Sequence, residues 1–140
     1  MGFPVVKGLR AMELGSPGPV RERLNGLVLS GPKTATAGTL DDYEDEPYEF
    51  VGERLALVDD DLRPVGVVEV TDTVLTTFGA VPWSFARAEN EGDASIEEWR
   101  EGHRRFWEGT GVAVTEELPI ILIHFRPVGA SASGLPSSTD

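Results

Sequence analysis

A mixed α+β fold is what this sequence predicts, and three observations predict it. Two stretches carry apolar residues at helical spacing behind recognisable start signals. Several others are β-branched or apolar runs of strand length. The two kinds interleave without the regular spacing of βαβ units, which favours α+β over a doubly wound sheet. With 140 residues and a hydrophobic fraction of 40%, the chain has the size and apolar content of one domain with a real core. That domain is expected over residues 1–127, with no internal repeat.

Ser16 and Pro17 read as a helix start, and Val20, Leu24, Leu27 and Val28 then recur on one helical face. Gly31-Pro32 is the stop, because glycine suits a left-handed cap and proline cannot continue the helix. The threonines of residues 34–39 begin extended structure. Leu55 and Leu57 mark a strand, Asp59 to Arg63 a hairpin turn, and Val65 to Leu75 a long β-branched strand. Val81 to Ala88 reads as a short helix. Ser95-Ile96-Glu97-Glu98 is a capping box that opens a helix with Ile96, Trp99, His103, Phe106 and Trp107 on one face. Leu118 to Phe125 is apolar enough for a central strand. Residues 128–140 are Ser, Gly, Ala and Pro with little to bury, and a disordered tail is expected there.

The charge pattern narrows the function. A net charge of −12 argues against a protein that coats nucleic acid, since phosphates need clustered Lys and Arg. A local cleft for one nucleotide remains compatible with it. Six acids fall within the nine residues 41–49, and Asp59-Asp60-Asp61 adds three more. Such runs are usually solvated loops and tight turns. A calcium site would need the EF-hand spacing and its central glycine, which are absent. There is no cysteine, so disulfides, thiolate zinc and a cysteine nucleophile are excluded. The first residues lack the apolar stretch of a signal peptide, and Val6 breaks the myristoylation pattern. No apolar run is long enough to span a bilayer. A cytoplasmic protein without membrane contact is the expectation, as a monomer or weak homodimer.

The segment from Gly26 to Thr34 nearly spells a phosphate-binding loop. It fails because Pro32 precedes the lysine and because the segment lies in an amphipathic helix rather than after a strand. What remains is Lys33 and Thr36 just past a helix end. In extended chain, residues 34 and 36 share one face and 33 and 35 the other, so a twist would be needed to bring Lys33 and Thr36 together. The bland alternative is a surface lysine among strand threonines.

Taken in order, Gly31-Pro32-Lys33-Thr34-Ala35-Thr36, then Phe85 to Asp93, then Ser95 to Trp107 resembles the ASCH domain family, over about residues 14 to 127. The resemblance implies a PUA-like fold, a small β-barrel flanked by helices, in a superfamily associated with RNA and modified nucleosides. Short members are amidohydrolases that remove the acetyl group of N4-acetylcytidine with a lysine, a threonine and a glutamate. By motif these fall on Lys33, Thr36 and Glu91 as the catalytic set. Other members are described as ribonucleases acting on single-stranded RNA. Two departures stand out. Gly38 replaces an arginine of the short members, and Glu89-Asn90-Glu91-Gly92 stands where longer members read Glu-Gly-Glu-Gly.

An amide hydrolase needs a nucleophile, a base for its proton and an acid for the leaving amine. Lys33 would be the base only if desolvation or a nearby cation depressed its pKa. With Glu91 beside it, Glu91 would move protons and a cationic Lys33 would steady the oxyanion. The residues alone leave both divisions open. The expected substrate contacts are Thr34, Glu89, Trp99, Arg100 and His103, with Trp99 the one tryptophan expected to stack a base. Arg100 and Arg104 share a helix face and form a modest basic patch. His124 reads as structural. Two histidines so far apart show no ligand spacing, so neither a metal nor another cofactor is expected. A hydrolase of an acylated pyrimidine nucleoside leads, ahead of a single-stranded RNA ribonuclease or a non-catalytic RNA- or nucleotide-binding module.

Overall fold

The computed structural model describes residues 3–43 and 46–128. Six strands make one sheet: β1 (Val5–Val6), β2 (Leu9–Met12), β3 (Ala35–Thr39), β4 (Arg54–Val58), β5 (Pro64–Thr77) and β6 (Pro119–Pro127). Their order is β1-β2-β4-β5-β6-β3. Neighbours run antiparallel except β2 and β4, which are parallel. The α+β class is as expected, but the barrel is not formed. Among the described residues no ladder joins β1 to β3, so the sheet stays open with those two strands as its edges. The long strand β5 shifts register against β6 between Val70 and Asp72. Such an extra residue bends a strand and increases its twist. Strand β5 pairs with β4 over Pro64 to Glu69 and with β6 over Val68 to Thr77.

Three helices cover the sheet: α1 (Pro19–Ser30), α2 (Trp83–Glu89) and α3 (Ile96–Gly109). Strand β6 shows how the layers divide. Ile121, Ile123 and Phe125 join a core with Leu24 and Val28 of α1. Ile120 and Leu122 join a second core with Phe85 of α2 and Trp99 and Trp107 of α3. Alternate side chains of a strand point to opposite faces, so α1 packs on one face and α2 with α3 on the other.

Local signals explain the helix ends. The first turn of α1 begins two residues later than Ser16-Pro17 suggested, because Pro19 fills the first helical position. Gly18 precedes it without a capping side chain, and Asp60 accepts its N–H at 2.8 Å instead. Asp59 closes the β4–β5 turn by accepting from the amides of Asp61 and Arg63, both at 2.9 Å. Two acids of that triad thus hold backbone amides, Asp59 within its own turn and Asp60 at the start of α1. At the other end of α1, Gly31 is left-handed at φ 106° and its N–H reaches the Leu27 and Val28 carbonyls. Helix α3 starts at the expected cap: Ser95 Oγ accepts from the Glu98 amide at 3.2 Å. The return bond differs, since Glu98 accepts from Ala94 rather than from Ser95 itself.

The last described residue, Val128, follows the expected edge at 127, and its amide donates to the Val67 carbonyl at 2.8 Å. The tail expected after it, and part of the acidic loop, lie outside the described residues.

Candidate functional site

Lys33 lies two residues past the α1 cap Gly31, and three backbone bonds fix its corner. Its own N–H donates to the Leu27 carbonyl at 3.1 Å, Thr34 N–H to Ala88 O at 2.8 Å, and Phe125 N–H to Thr34 O at 3.0 Å. The corner is held by the ends of α1 and α2 and by β6 at once. From it the Lys33 side chain turns inward and is fully buried. Nζ donates to the carbonyls of Ala35 (2.8 Å) and Glu89 (3.3 Å) and to Glu91 Oε2 (2.7 Å). Three acceptors match the three N–H bonds of an ammonium, which leaves no lone pair for base chemistry. Of the two divisions of labour left open by the residues, the cationic Lys33 fits this geometry.

The two glutamates reach Lys33 because the chain reverses after α2. Asn90 takes the left-handed conformation (φ 52°, ψ 46°) as the helix cap, and Gly92 follows at φ 98°. Asparagine tolerates that region better than most residues and glycine freely. Glu91 is thereby placed on Lys33, while Glu89 Oε2 lies 3.9 Å from Nζ.

Glu89 is buried and would be costly as a bare charge. Its Oε1 accepts from the indole N–H of Trp99 and stands 3.2 Å from His103 Nε2. His103 Nδ1 donates to the Trp99 carbonyl at 2.9 Å, and its ring stacks on Trp99 with centroids 4.0 Å apart. Burial pushes the Glu89 carboxyl up, but the His103 bond, the charges of Lys33 and His103 and the Trp99 N–H bring it below its ordinary value. Burial pulls the His103 imidazole down, but its bond to Glu89 and the charges of Glu89 and Glu91 raise it above its ordinary value. The result is an ion pair in which both ring nitrogens donate.

A cavity of about 210 Å³ opens over this knot at the free edge of β3. Thr36, Glu89, Glu91 and His103 are among its walls, so four of the expected site residues meet there. Glu91 is the acid that turns to the opening, with 22% of its side chain exposed against 1% for Glu89. Lys33 stands behind Glu91 rather than in the wall. Three expected substrate contacts are elsewhere. Trp99 has no exposed surface and acts on the site through Glu89 and His103. Arg100 donates to the carbonyls of Gly79 (3.1 Å) and Val81 (3.4 Å), drawn there by the turn before α2. Thr34 is tied to α2 through the Ala88 carbonyl.

The cavity is also lined by residues not expected at the site: Arg23 on α1, Asp93 beyond the glutamate turn, and Phe106 on α3. Phe106 carried a signal, since it belongs to the apolar face of its helix yet remains 43% exposed. Burial pushes the Asp93 carboxyl up, as do Glu89 and Glu98, against the opposing pull of His103.

Glu89, Glu91 and His103 also present one ligand-type atom each within 4.8 Å of one another, a grouping that histidine spacing could not reveal. Its two negative charges are already matched by the Lys33 ammonium and the His103 imidazolium. A divalent ion would therefore have to displace a cation already in place.

An open α+β sheet with a small cavity over its edge strand fits the PUA-like class of domains. Within that class the chain belongs to the ASCH domain family, whose sequence profile matches residues 10–129. The fold is similar to an ASCH domain from Lactobacillus crispatus (TM-score 0.73, 26% identity, covering 84% of this chain and 77% of that one). It is also similar to a protein from Enterococcus faecalis (TM-score 0.67, 26% identity, 83% and 75% covered). An ASCH protein variant from Zymomonas mobilis shares the fold alone (TM-score 0.51, 14% identity, 85% and 80% covered). No curated protein matches the sequence. Among the described residues no helix is long and apolar enough to cross a membrane.

Proposed function

We propose that this protein is an amidohydrolase that removes the acyl group from an acylated pyrimidine nucleoside of the N4-acetylcytidine type. The observation that carries the reading is the Lys33–Glu91 contact of 2.7 Å, with Glu91 turned to a cavity that Thr36 also lines. The buried Lys33 side chain holds the Glu91 carboxylate in place at the cavity, as a positioned base must be. Glu91 takes the proton of the attacking hydroxyl, from Thr36 or from a water held beside it, as that oxygen bonds to the acyl carbon. The same proton passes to the departing exocyclic nitrogen as the C–N bond breaks, releasing the amine. If Thr36 is the nucleophile, water then cleaves the acyl-threonine ester with Glu91 again as base, giving the carboxylate. Lys33 adds positive potential behind the developing oxyanion without touching it. His103 already donates through both nitrogens and serves as a wall.

Size and charge favour a single nucleoside over a strand. The volume lies below the roughly 300–1,000 Å³ of ordinary ligand sites. Glu89, Glu91 and Asp93 in its walls face only Arg23 and His103 as cations, a poor track for consecutive phosphates.

The test is turnover of N4-acetylcytidine by purified protein, followed by chromatography. Glu91→Gln is expected to cost about 10²–10⁴-fold in kcat. Lys33→Met should also abolish turnover, and Thr36→Val separates a threonine nucleophile from a bound water. A folded wild-type protein that leaves the amide intact but cuts single-stranded RNA would overturn the reading in favour of a ribonuclease. Binding of nucleoside or RNA without any turnover would leave a binding module.

A further inference from the structure

The cavity beside Glu91 does not end at Thr36. A second hollow of about 90 Å³ adjoins it, and the same two stretches of chain line both. Gly15 and Ser16 border the first hollow, and Glu13 and Leu14 the second. Thr36 and Ala37 border both, and Gly38 the second alone. Shared and consecutive lining residues place the two hollows next to each other along the free edge of β3, a pair called the trough below. Gly38 helps keep the far end open, because a Cβ there would stand 3.3 Å from Asp42 Oδ2.

The two ends differ in chemistry. The near end has Arg23 and His103 in its walls. The far end has an apolar floor of Met12, Leu55 and Ile123 beneath Glu13, Asp42 and Glu49, with no Lys, Arg or His among its lining residues. The Tyr43 hydroxyl donates its hydrogen to Glu49 at 2.6 Å, so what it still offers is an acceptor. Asp42 accepts from the Thr39 amide at 3.3 Å, and each carboxylate keeps lone pairs to spare. A group entering this end must donate hydrogen bonds, carry no negative charge and tolerate carbon on one side. A sugar does all three, and carboxylates are a known partner for ribose hydroxyls.

Resting on the amidohydrolase reading, we propose that the far end of the trough receives the sugar of the substrate, its hydroxyls donating to Asp42 and Glu49. The protein then selects free nucleosides and rejects 5′-phosphorylated nucleotides. Phosphate would meet three carboxylates and no cation there.

Calorimetric titration of the full chain with cytidine, cytosine and cytidine 5′-monophosphate tests this. Cytidine is expected to bind at least about tenfold more tightly than its monophosphate. Asp42→Asn should weaken cytidine while sparing cytosine. Because Asp42 also holds the Thr39 amide, Glu13→Lys, at an exposed position, is the second variant, and it should shift the preference toward the monophosphate. Equal affinity for cytidine and its monophosphate, an unchanged ratio in Glu13→Lys, or no binding of cytidine would overturn the proposal. Hydrolysis of N4-acetylcytosine, which lacks the sugar, reports on the amidohydrolase reading alone. Turnover there without a preference for cytidine sinks only the sugar subsite. A preference for cytidine without turnover sinks only the hydrolase.

Discussion

Arg10 and Lys33 are both gripped by carboxylates that are themselves largely buried, and of these two pairs one opens on the cavity at the edge of β3. Arg10 donates to both oxygens of Glu53 at 3.1 Å and to the Pro47 carbonyl at 2.7 Å, with Glu46 at 3.8 Å and the Phe3 ring beneath it. It ties β2 to the acidic loop and borders neither hollow at the edge of β3. Lys33 is held by as many partners, but one of them, Glu91, turns its free side to open space. A charge cluster in which every group is spent on the chain is a clamp. One with a carboxylate left facing a cavity is equipped for chemistry.

The largest break in that comparison comes from Glu89, whose carboxylate accepts from Trp99 and His103 and lies 3.9 Å from Lys33 Nζ. Glu89→Gln keeps the shape but removes the charge that pairs His103 and faces Lys33. Breaking a buried pair in this way costs about 3–5 kcal/mol. Arg10→Met, at a pair with 12% exposure on each side, should cost about 1–2 kcal/mol. Urea midpoints at constant slope measure both. Equal losses would mean that the knot at Lys33 is no more buried in energy than the clamp at Arg10.

Acidity separates the two clusters next. The His103 imidazole is raised in the fold, so its contribution is complete below its unfolded value near 6.5 and is lost as pH rises through its folded value. The Glu89 carboxyl is lowered, so its contribution is complete above its unfolded value near 4.5 and is lost as pH falls through its folded value. The pair therefore stabilises fully between those two limits. Asp42 and Asp93, both raised chiefly by burial, also favour acid: their contribution is lost as pH rises from their unfolded value of 3.8 to their folded values. Melting temperature against pH should fall on the alkaline side of this window, and His103→Gln should flatten that limb. An unchanged limb in the variant would show that His103 is not ionised in the fold.

Much of this was legible in the residues, for reasons that differ by element. Gly31-Pro32, Ser95 with Glu98, and the alternation of β5 are local signals, and local signals survive folding. Lys33 and Glu91 were brought to one site by the resemblance in motif order, and the cap that lets them meet, Asn90 followed by Gly92, is itself a short-range feature. What was not legible depends on the third dimension. Trp99 and Arg100 sit on a helix whose rotation is set by the second core, so one was swallowed by Phe78 and Phe85 and the other turned to carbonyls before α2. Arg23 and Asp93 reach the cavity only because α1 and the glutamate turn meet over β3. The open sheet likewise follows from β3 pairing only with β6, a long-range choice no periodicity records.

Arg100 supplies the smallest and most discriminating change. It was an expected substrate contact, yet its Nη2 bonds two backbone carbonyls and its Nε is buried without a partner. Arg100→Met should cost about 1 kcal/mol through those lost bonds, with the apolar stem retained. Turnover and KM for the acylated nucleoside should not move. Arg23→Met is the matched change on an exposed side chain in the cavity wall, and it should leave the melting temperature unaltered while raising KM. If instead Arg100→Met raises KM and Arg23→Met does not, the substrate enters from the α3 side, and the trough along β3 is not the path it takes.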